Sequence, residues 1–186
     1  MKEISLHILD IVENSLRAKA KKVRISILED TRENCLELVI EDDGEGMNEE
    51  TLKRVRDPFF SGQNKKVGMG IPLLDQLAQQ CQGNLEILSE KGKGTTVRAT
   101  FQRDSIDLPP LGKLADTLCV IMASHPEVEL EFIHRVDDCQ WLFNSKQMEK
   151  ELGLTGKDRG MILPAIREWI EYQEEILKGG IEDENK

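Results

Sequence analysis

The sequence predicts an α+β fold: a two-layer α/β sandwich, helices on one face of a mixed sheet, with an α/β C-terminal extension. Three observations predict it. Runs that alternate apolar and polar residues come in neighbouring pairs, at 23–29 with 35–41 and at 84–90 with 95–101. An amphipathic run of helical period precedes each pair, at 4–20 and from Gly70 onward. Glycine-containing loops fill the space between the first pair and the second helix.

Each element has its own signature. ISLHILDIVENSLRAKA (4–20) sets Ile4, Ile8, Ile11, Val12, Leu16 and Ala20 at helical spacing. VRISILE (23–29) alternates Val23, Ile25 and Ile27 against Arg24, Ser26 and Leu28, and CLELVIE (35–41) places Leu36, Leu38 and Ile40 on one face. The short polar link DTREN makes these two an antiparallel hairpin. NEETLKRV (48–55) is a short helix with Asn48 as cap and acids in its first turn. DPFFSGQNKK (57–66) has no period and is a loop. IPLLDQLAQQCQG continues from Gly70 as a helix ended by Gly83. NLEILSE and TTVRATF are two further strands joined by KGKG.

Composition shifts at DSIDLPP (104–110), where two prolines mark a boundary. The chain thus divides into residues 1–104 and an extension, 105–186, that ends in a frayed acidic tail, GGIEDENK. The extension predicts a helix in LGKLADTLCVIMASH, a strand in VELEFIHRV, a short helix in SKQMEKELG and a long one in RGMILPAIREWIEYQEEILKG, with Pro164 in its first turn. Trp141, Phe143, Trp169 and Tyr172 form a small core there, with a partner surface as the alternative.

Bulk properties exclude several classes. With 39% hydrophobic and 32% charged residues, the chain is not a disordered one. No apolar run approaches the roughly 20 residues that span a bilayer. The start, MKEISLHILDIVENS, has an early acid and no small-residue cleavage site, so it is not a signal peptide. Cysteines at 35, 81, 119 and 139 form no CxxC pair, and the histidines lie far from them, which removes zinc and disulfide frameworks and points to a reducing cytosol. A net charge of −10 repels phosphate backbones, so nucleic acid is not an expected partner.

The motif EDDGEGM (41–47) is, taken alone, a solvated turn, and GMG (68–70) is a common glycine pattern. Their order with ENS (13–15) before them and GKGTT (92–96) after them is far more specific. This series, over roughly residues 4–103, resembles the GHKL superfamily: sensor histidine kinases, anti-sigma serine kinases, mismatch-repair ATPases, type II topoisomerases and the ATP-dependent heat-shock chaperone. LDIVENSLRAKAKKVRISI looks most like the mismatch-repair form of its asparagine box, and the stretch from Asp57 to Phe101 most like a sensor kinase.

The resemblance implies the histidine kinase/ATPase (Bergerat) fold, with ATP and Mg2+ as cofactors, and assigns roles. Asn14 matches the magnesium-binding asparagine, whose amide oxygen suits a hard cation. Asp42 matches the aspartate that reads adenine by accepting from its amino group. Gly44 and Gly46 let the backbone pass close to the base, and Met47 packs by the ring or in the core. Asp43 stands where an asparagine is usual. Gly68, Met69 and Gly70 form the second glycine box, where N–H groups at a helix start hold phosphates. Lys66 replaces an earlier glycine of that box; Lys65 or Lys66 could reach a phosphate, or both belong to a solvated loop. Gly92 and Gly94 match the third box, from which Thr95 or Thr96 could bond Asp42 or a water beside adenine.

Related hydrolases carry a glutamate four residues before the magnesium asparagine. Here that place is Asp10, about 6 Å from Asn14 on one helix face. It is a candidate general base, with a solvated helix acid as the alternative. His7 is two turns before Asn14 and is read as a satisfied surface or core histidine rather than a phosphoacceptor. The resulting expectation is a cytoplasmic, bacterial Mg-ATP-binding regulatory protein, a stand-alone kinase or slow ATPase acting on a protein partner or phosphoacceptor. A non-catalytic ATP-gated interaction module is the alternative. Membrane is not an expected partner, and a homodimer stays open.

Overall fold

The computed structural model describes residues 2–57, 69–154 and 158–184. One six-stranded sheet runs through both parts of the chain. Its strands are β1 (Lys22–Asp30), β2 (Cys35–Asp42), β3 (Asn84–Glu90), β4 (Gly94–Gln102), β5 (Glu129–Val136) and β6 (Cys139–Asn144), in the spatial order β3-β4-β2-β1-β5-β6. Neighbours are antiparallel except β1 and β5, which run parallel with Ile25 opposite Phe132, so the sheet is mixed. The fold is α+β, as the sequence implied.

Period-2 alternation sends Val23, Ile25 and Ile27 of β1, Leu38 and Ile40 of β2, and Val97, Ala99 and Phe101 of β4 into the core. Against that face lies α1 (Ile4–Arg17), which buries Ile4, Ile8, Ile11 and Val12 completely or nearly so. Each such side chain is worth about 2 kcal/mol. α3 (Gly70–Gln80) packs beside α1 and against β3 and β4, burying Ile71, Leu74 and Ala78. α2 (Glu49–Arg54) is the short helix the sequence predicts, and the side chain of Asn48 accepts from the N–H of Thr51 at 2.8 Å.

Several boundaries differ from expectation. α1 stops at Arg17 rather than Ala20, because Lys19 takes a left-handed conformation (φ 61°) and the Ala20 N–H turns back to the Ser15 carbonyl. α3 ends with Gln82, not Gly83, in the left-handed position (φ 55°). The predicted loop 57–66 lies outside the described residues, apart from Asp57. β6 has no counterpart in the sequence reading. Pro164 is the sixth residue of its helix, beyond the first turn, so its missing N–H leaves a helical bond unmade. No helix among the described residues is long and apolar enough to cross a membrane.

The extension adds α4 (Leu114–Ser124), α5 (Ser145–Leu152) and α6 (Arg159–Glu184). Asn144 caps α5 by accepting from Lys146 and Gln147, and Gly153 closes it in the left-handed region. α4 and α6 pack on each other, and α6 lies over β5 and β6. Trp141 and Phe143 are core residues, whereas Trp169 and Tyr172 remain 41% and 59% exposed.

A buried ionic cluster fastens α6 to the sheet. His134 of β5, 2% exposed, has Nδ1 2.7 Å from Glu174 Oε1 of α6 and Nε2 3.1 Å from Glu29 Oε1 of β1. Trp141 Nε1 also donates to Glu174 (2.9 Å), and Arg103 Nε donates to Glu29 (2.8 Å). Two carboxylate partners require both ring nitrogens to donate, which makes His134 an imidazolium. Burial alone would lower its pKa; the bonds to Glu174 and Glu29 outweigh burial and raise it above 6.5. Burial likewise pushes Glu29 up, but His134 and Arg103 outweigh it and hold Glu29 below 4.5.

The signs of these shifts set a pH window. His134 contributes stability that is full below pH 6.5 and is lost as pH rises through its raised folded value; Glu29 contributes stability present above pH 4.5 and lost as pH falls. Thermal unfolding should therefore show a midpoint that declines on raising pH above 6.5. His134→Gln should lower the midpoint, by the order of 3 kcal/mol of stability, and flatten that decline. A wild-type midpoint that rises between pH 6.5 and 8 would contradict the charged state.

Candidate nucleotide site

The acidic corner forms where β2 leaves the sheet. Asp42 ends the strand opposite Thr95 of β4. Its Oδ2 accepts from the buried Ser15 hydroxyl of α1 at 2.6 Å, and its Oδ1 accepts from the Gly44 N–H at 2.9 Å. Two donors from different sides hold the carboxylate in one orientation. Asp43 faces another way: its Oδ1 accepts from the N–H groups of Lys21 and Lys22 at 2.7 and 2.9 Å, closing the entry to β1. An asparagine oxygen would accept those bonds equally well, which explains why either residue fits. Glu45 pairs with Lys19 at 2.6 Å across an exposed surface. Asp42, Asp43 and Glu45 in one tight turn thus have no partner in common.

The corner's backbone is fixed from both sides. The Glu45 N–H donates to the Ala18 carbonyl at the end of α1, and the Glu45 carbonyl accepts from Gly92 in the β3–β4 turn, each at 2.7 Å. Gly46 (φ 62°) and Gly94 (φ 102°) sit where these segments meet. A β-carbon on Gly46 would collide with the Glu90 carbonyl, and one on Gly94 with the Asp42 carbonyl. The Met47 N–H donates to Ser89 Oγ (2.8 Å), which also lies 2.8 Å from Thr95 Oγ1.

These elements enclose a cavity of about 540 Å³, within the range of small-molecule sites. Of the residues expected from sequence, Asn14, Asp42, Gly46, Met47 and Thr95 line it together. Ile11, Val55, Ile71 and Val97 form its apolar wall, and Arg17, Lys19 and Lys91 bring positive charge to it. Gly94 and Thr96 line a neighbouring cleft with Asp42 instead. The Thr96 side chain projects to the opposite face of β4, beside exposed Leu88, so Thr95 and not Thr96 faces the cavity with Asp42.

Asp10 and Gly70 lie outside that lining but meet each other. A β-carbon on Gly70 would stand 2.8 Å from Asp10 Cβ, which places the start of α3 directly against α1 one turn before Asn14. Met69 precedes α3 and is exposed; Gly44 is the Asp42 turn partner. Lys65, Lys66 and Gly68 fall outside the described residues. His7 is buried and its Nδ1 has no hydrogen-bond partner among the described residues. Burial lowers its pKa to about 4, so it is a neutral core group, not a satisfied one.

Sequence reasoning missed Ser15, Ser89, Arg17, Lys19 and Lys91. Ser15 was within reach, because it stands in the ENS triplet beside Asn14. The other four carry no pattern and are recruited only by the fold.

The family described as histidine kinase-, DNA gyrase B-, and HSP90-like ATPase matches residues 2–105. The chain belongs to it. Among curated proteins, sporulation kinase C of Bacillus subtilis (strain 168) is 31% identical over 93 residues, 50% of this chain and 22% of that protein. Sensor protein kinase FleS of Pseudomonas aeruginosa is 31% identical over 109 residues, 59% of this chain and 27% of FleS. The chain therefore spans about a quarter of the length of these relatives. A solved structure, the N-terminal domain of a DNA repair protein, superposes with TM-score 0.52 over 76% of this chain and 52% of that one at 13% identity, a likeness of fold. Residues 2–105 are thus a GHKL-type ATPase domain, homologous to histidine kinase catalytic domains.

Gly94→Ala tests the junction of corner and turn. The left-handed strain and the collision with the Asp42 carbonyl should together cost at least about 2 kcal/mol, read as a fall of roughly 5 °C or more in the unfolding midpoint. A midpoint within 1 °C or so of wild type would show that the two segments do not meet so closely.

Proposed function

We propose that the cavity binds Mg-ATP and that the protein transfers its γ-phosphoryl group, to water or to a protein partner. The observation that carries the reading is the Asp42 carboxylate, held by Ser15 and Gly44 with its acceptor capacity at the wall of a cavity of nucleotide size. A fixed, acceptor-only group matches the adenine amino group and mismatches the guanine carbonyl at the same place. The donor set also fits the rest of the ligand. Gly46 and Gly94 let the corner and the β3–β4 turn close on each other beside the cavity, and Arg17 and Lys91 supply positive charge for phosphates.

Magnesium fits the same site through Asn14. Its amide oxygen is a hard donor, and no cluster of three His, Cys, Asp or Glu among the described residues forms a cage of its own. That suits an ion held by one or two protein oxygens, water and phosphate. When bound, the ion would neutralise charge developing on the phosphate oxygens. Asp10 is the group proposed to hold the attacking water or hydroxyl and to accept its proton. Its neighbour Gly70 begins the helix expected to present N–H groups to phosphate. The bacterial origin of the relatives and the free cysteines support a bacterial cytosol as the setting.

Two measurements test the reading. In calorimetry with Mg-ATP, Asp42→Asn should lose at least about tenfold in affinity, because the amide offers a donor where an acceptor is needed. Ser15→Ala should lose less, about 1 kcal/mol, by releasing the carboxylate. Unchanged affinity in Asp42→Asn would remove the adenine assignment. Phosphate release from Mg-ATP should fall at least about 100-fold in Asp10→Asn with ATP affinity retained. Turnover that persists in the variant would acquit Asp10. No turnover in the wild type, with ATP bound, would leave an ATP-gated module or a kinase that needs its protein substrate.

A further inference from the structure

β6 forms the edge of the sheet at the extension end. We propose that it pairs antiparallel with β6 of a second copy of this chain, about a two-fold axis through Leu142. β6 follows β5 after the two-residue turn Asp137–Asp138, with Val136 opposite Cys139. Such a turn closes on a hydrogen-bonded pair, and bonded and non-bonded pairs then alternate. Cys139, Trp141 and Phe143 therefore bond back to β5, while Gln140 and Leu142 direct their N–H and C=O outward; the carbonyl of Asn144 begins α5. Among the described residues, no turn or loop backbone bond reaches residues 139–144, and the strand ends at Asn144, the cap of α5. α5 packs against β5 as well as β6, so the chain leaves the edge by turning inward.

Natural edges are guarded by charge, proline or cover. CQWLFN has neither charge nor proline. The opposite edge, β3, is guarded: it carries Glu86 and Glu90, and Arg56 Nη2 donates to its Leu85 carbonyl at 2.6 Å. The two edges also differ in self-complementarity, which a two-fold axis demands. Centred on Leu142, β6 sets leucine on leucine and Trp141 on Phe143, apolar on apolar and aromatic on aromatic, with uncharged Gln140 opposite Asn144, whose amide is held by α5 and by Glu129 and Glu131. Centred on Leu88, β3 would set Glu86 on Glu90, like charges directly opposed. That contrast in charge is what selects a second copy as the occupant of β6.

The helix layer agrees. α6 lies over β5 and β6. Strands about 4.8 Å apart would then bring the two α6 axes to roughly 10 Å, the distance at which helices pack. Trp169, Tyr172 and Ile176 follow one another at helical spacing and are 41%, 59% and 53% exposed. Trp169 stands edge-on to Trp141 at 5.6 Å, so this stripe lies on the β6 side of the helix. Pairing would cover the stripe together with Leu142, itself 59% exposed. The net charge of −10 opposes association, so added salt should tighten the dimer.

Sedimentation equilibrium of the full chain tests this, over roughly 1–100 μM. The expected mass at the upper end is twice 21.1 kDa. Leu142→Lys places two ammonium groups at the axis and should raise the dissociation constant at least about 100-fold. Leu88→Lys, the same change at an equally exposed place on β3, should leave it unmoved. Amide exchange supplies the second readout. The Leu142 N–H should be protected in the wild-type dimer and exchange freely in Leu142→Lys, while the Trp141 N–H, bonded to β5, stays protected in both and shows the variant to be folded. A monomer throughout would overturn the proposal and leave the edge to another protein or to none. A dimer indifferent to Leu142→Lys, or one broken by Leu88→Lys, would overturn it equally.

Discussion

The position of one carboxylate governs the arrangement around it. Asp42 ends β2 with its oxygens held by the Ser15 hydroxyl and the Gly44 N–H. Ser15 belongs to α1, so this short bond ties a helix of the upper layer to the end of a central strand. The Glu45 bonds to Ala18 and Gly92 then tie the same corner to the end of α1 and to the β3–β4 turn. A negative group beside the apolar wall of Ile11, Val55, Ile71 and Val97 is tolerated only with donors in place. Those donors also leave it a pure acceptor towards the cavity. The lock that keeps the charge stable is therefore the lock that would give it selectivity for a donor on the ligand.

What the sequence revealed follows physical periodicity. β1, β4 and β5 alternate because one face is buried and the other is less so, and β2 keeps Leu36, Leu38 and Ile40 in step although Val39 on its other face is buried too. β6 was invisible because Trp141, Leu142 and Phe143 are apolar in succession. Alternation cannot register where the outward residue is also apolar, and that same irregularity marks β6 as an unguarded edge. The end of α1 was overrun because Ala20 keeps the helical period while Lys19 has left the helix. In the site, glycines and Asp42 were legible because their chemistry demands particular residues. Ser89, Lys19 and Lys91 were not: a serine or lysine has many uses, and only the meeting of separate strands and turns assigns one. Nor does any local signal reveal that β5 pairs with β1, a contact between residues about a hundred positions apart.

That long-range pairing gives the extension its place. Parallel β1 and β5 carry Glu29 and His134 to the same end of the sheet, and α6 brings Glu174 to meet them. A hydrophobic set of similar volume could stabilise the join as well or better. An ionic set does something else: each group needs its particular neighbour, which favours the register in which Glu174 meets His134 and Trp141. Trp141 reinforces that choice by donating to the same Glu174 oxygen, and Trp169 then stacks edge-on against Trp141. The exposed stripe of α6 is thereby aimed beside the open edge of β6.

The reaction proposed for the other end of the sheet turns on a side chain that looks too short. Asp10 lacks one methylene of the glutamate found at this place in related hydrolases, and a general base works only within hydrogen-bond reach of its proton. Gly70 bears on this difficulty. Without a β-carbon it lets the start of α3 press against Asp10, since an added carbon there would stand 2.8 Å from Asp10 Cβ. A closer α3 carries its first residue, Gly70, towards α1. The helix start expected to hold phosphate and the carboxylate expected to act beside it thus approach each other from both sides. A shorter acid suits a narrower gap, and any residue larger than glycine at position 70 would widen it again.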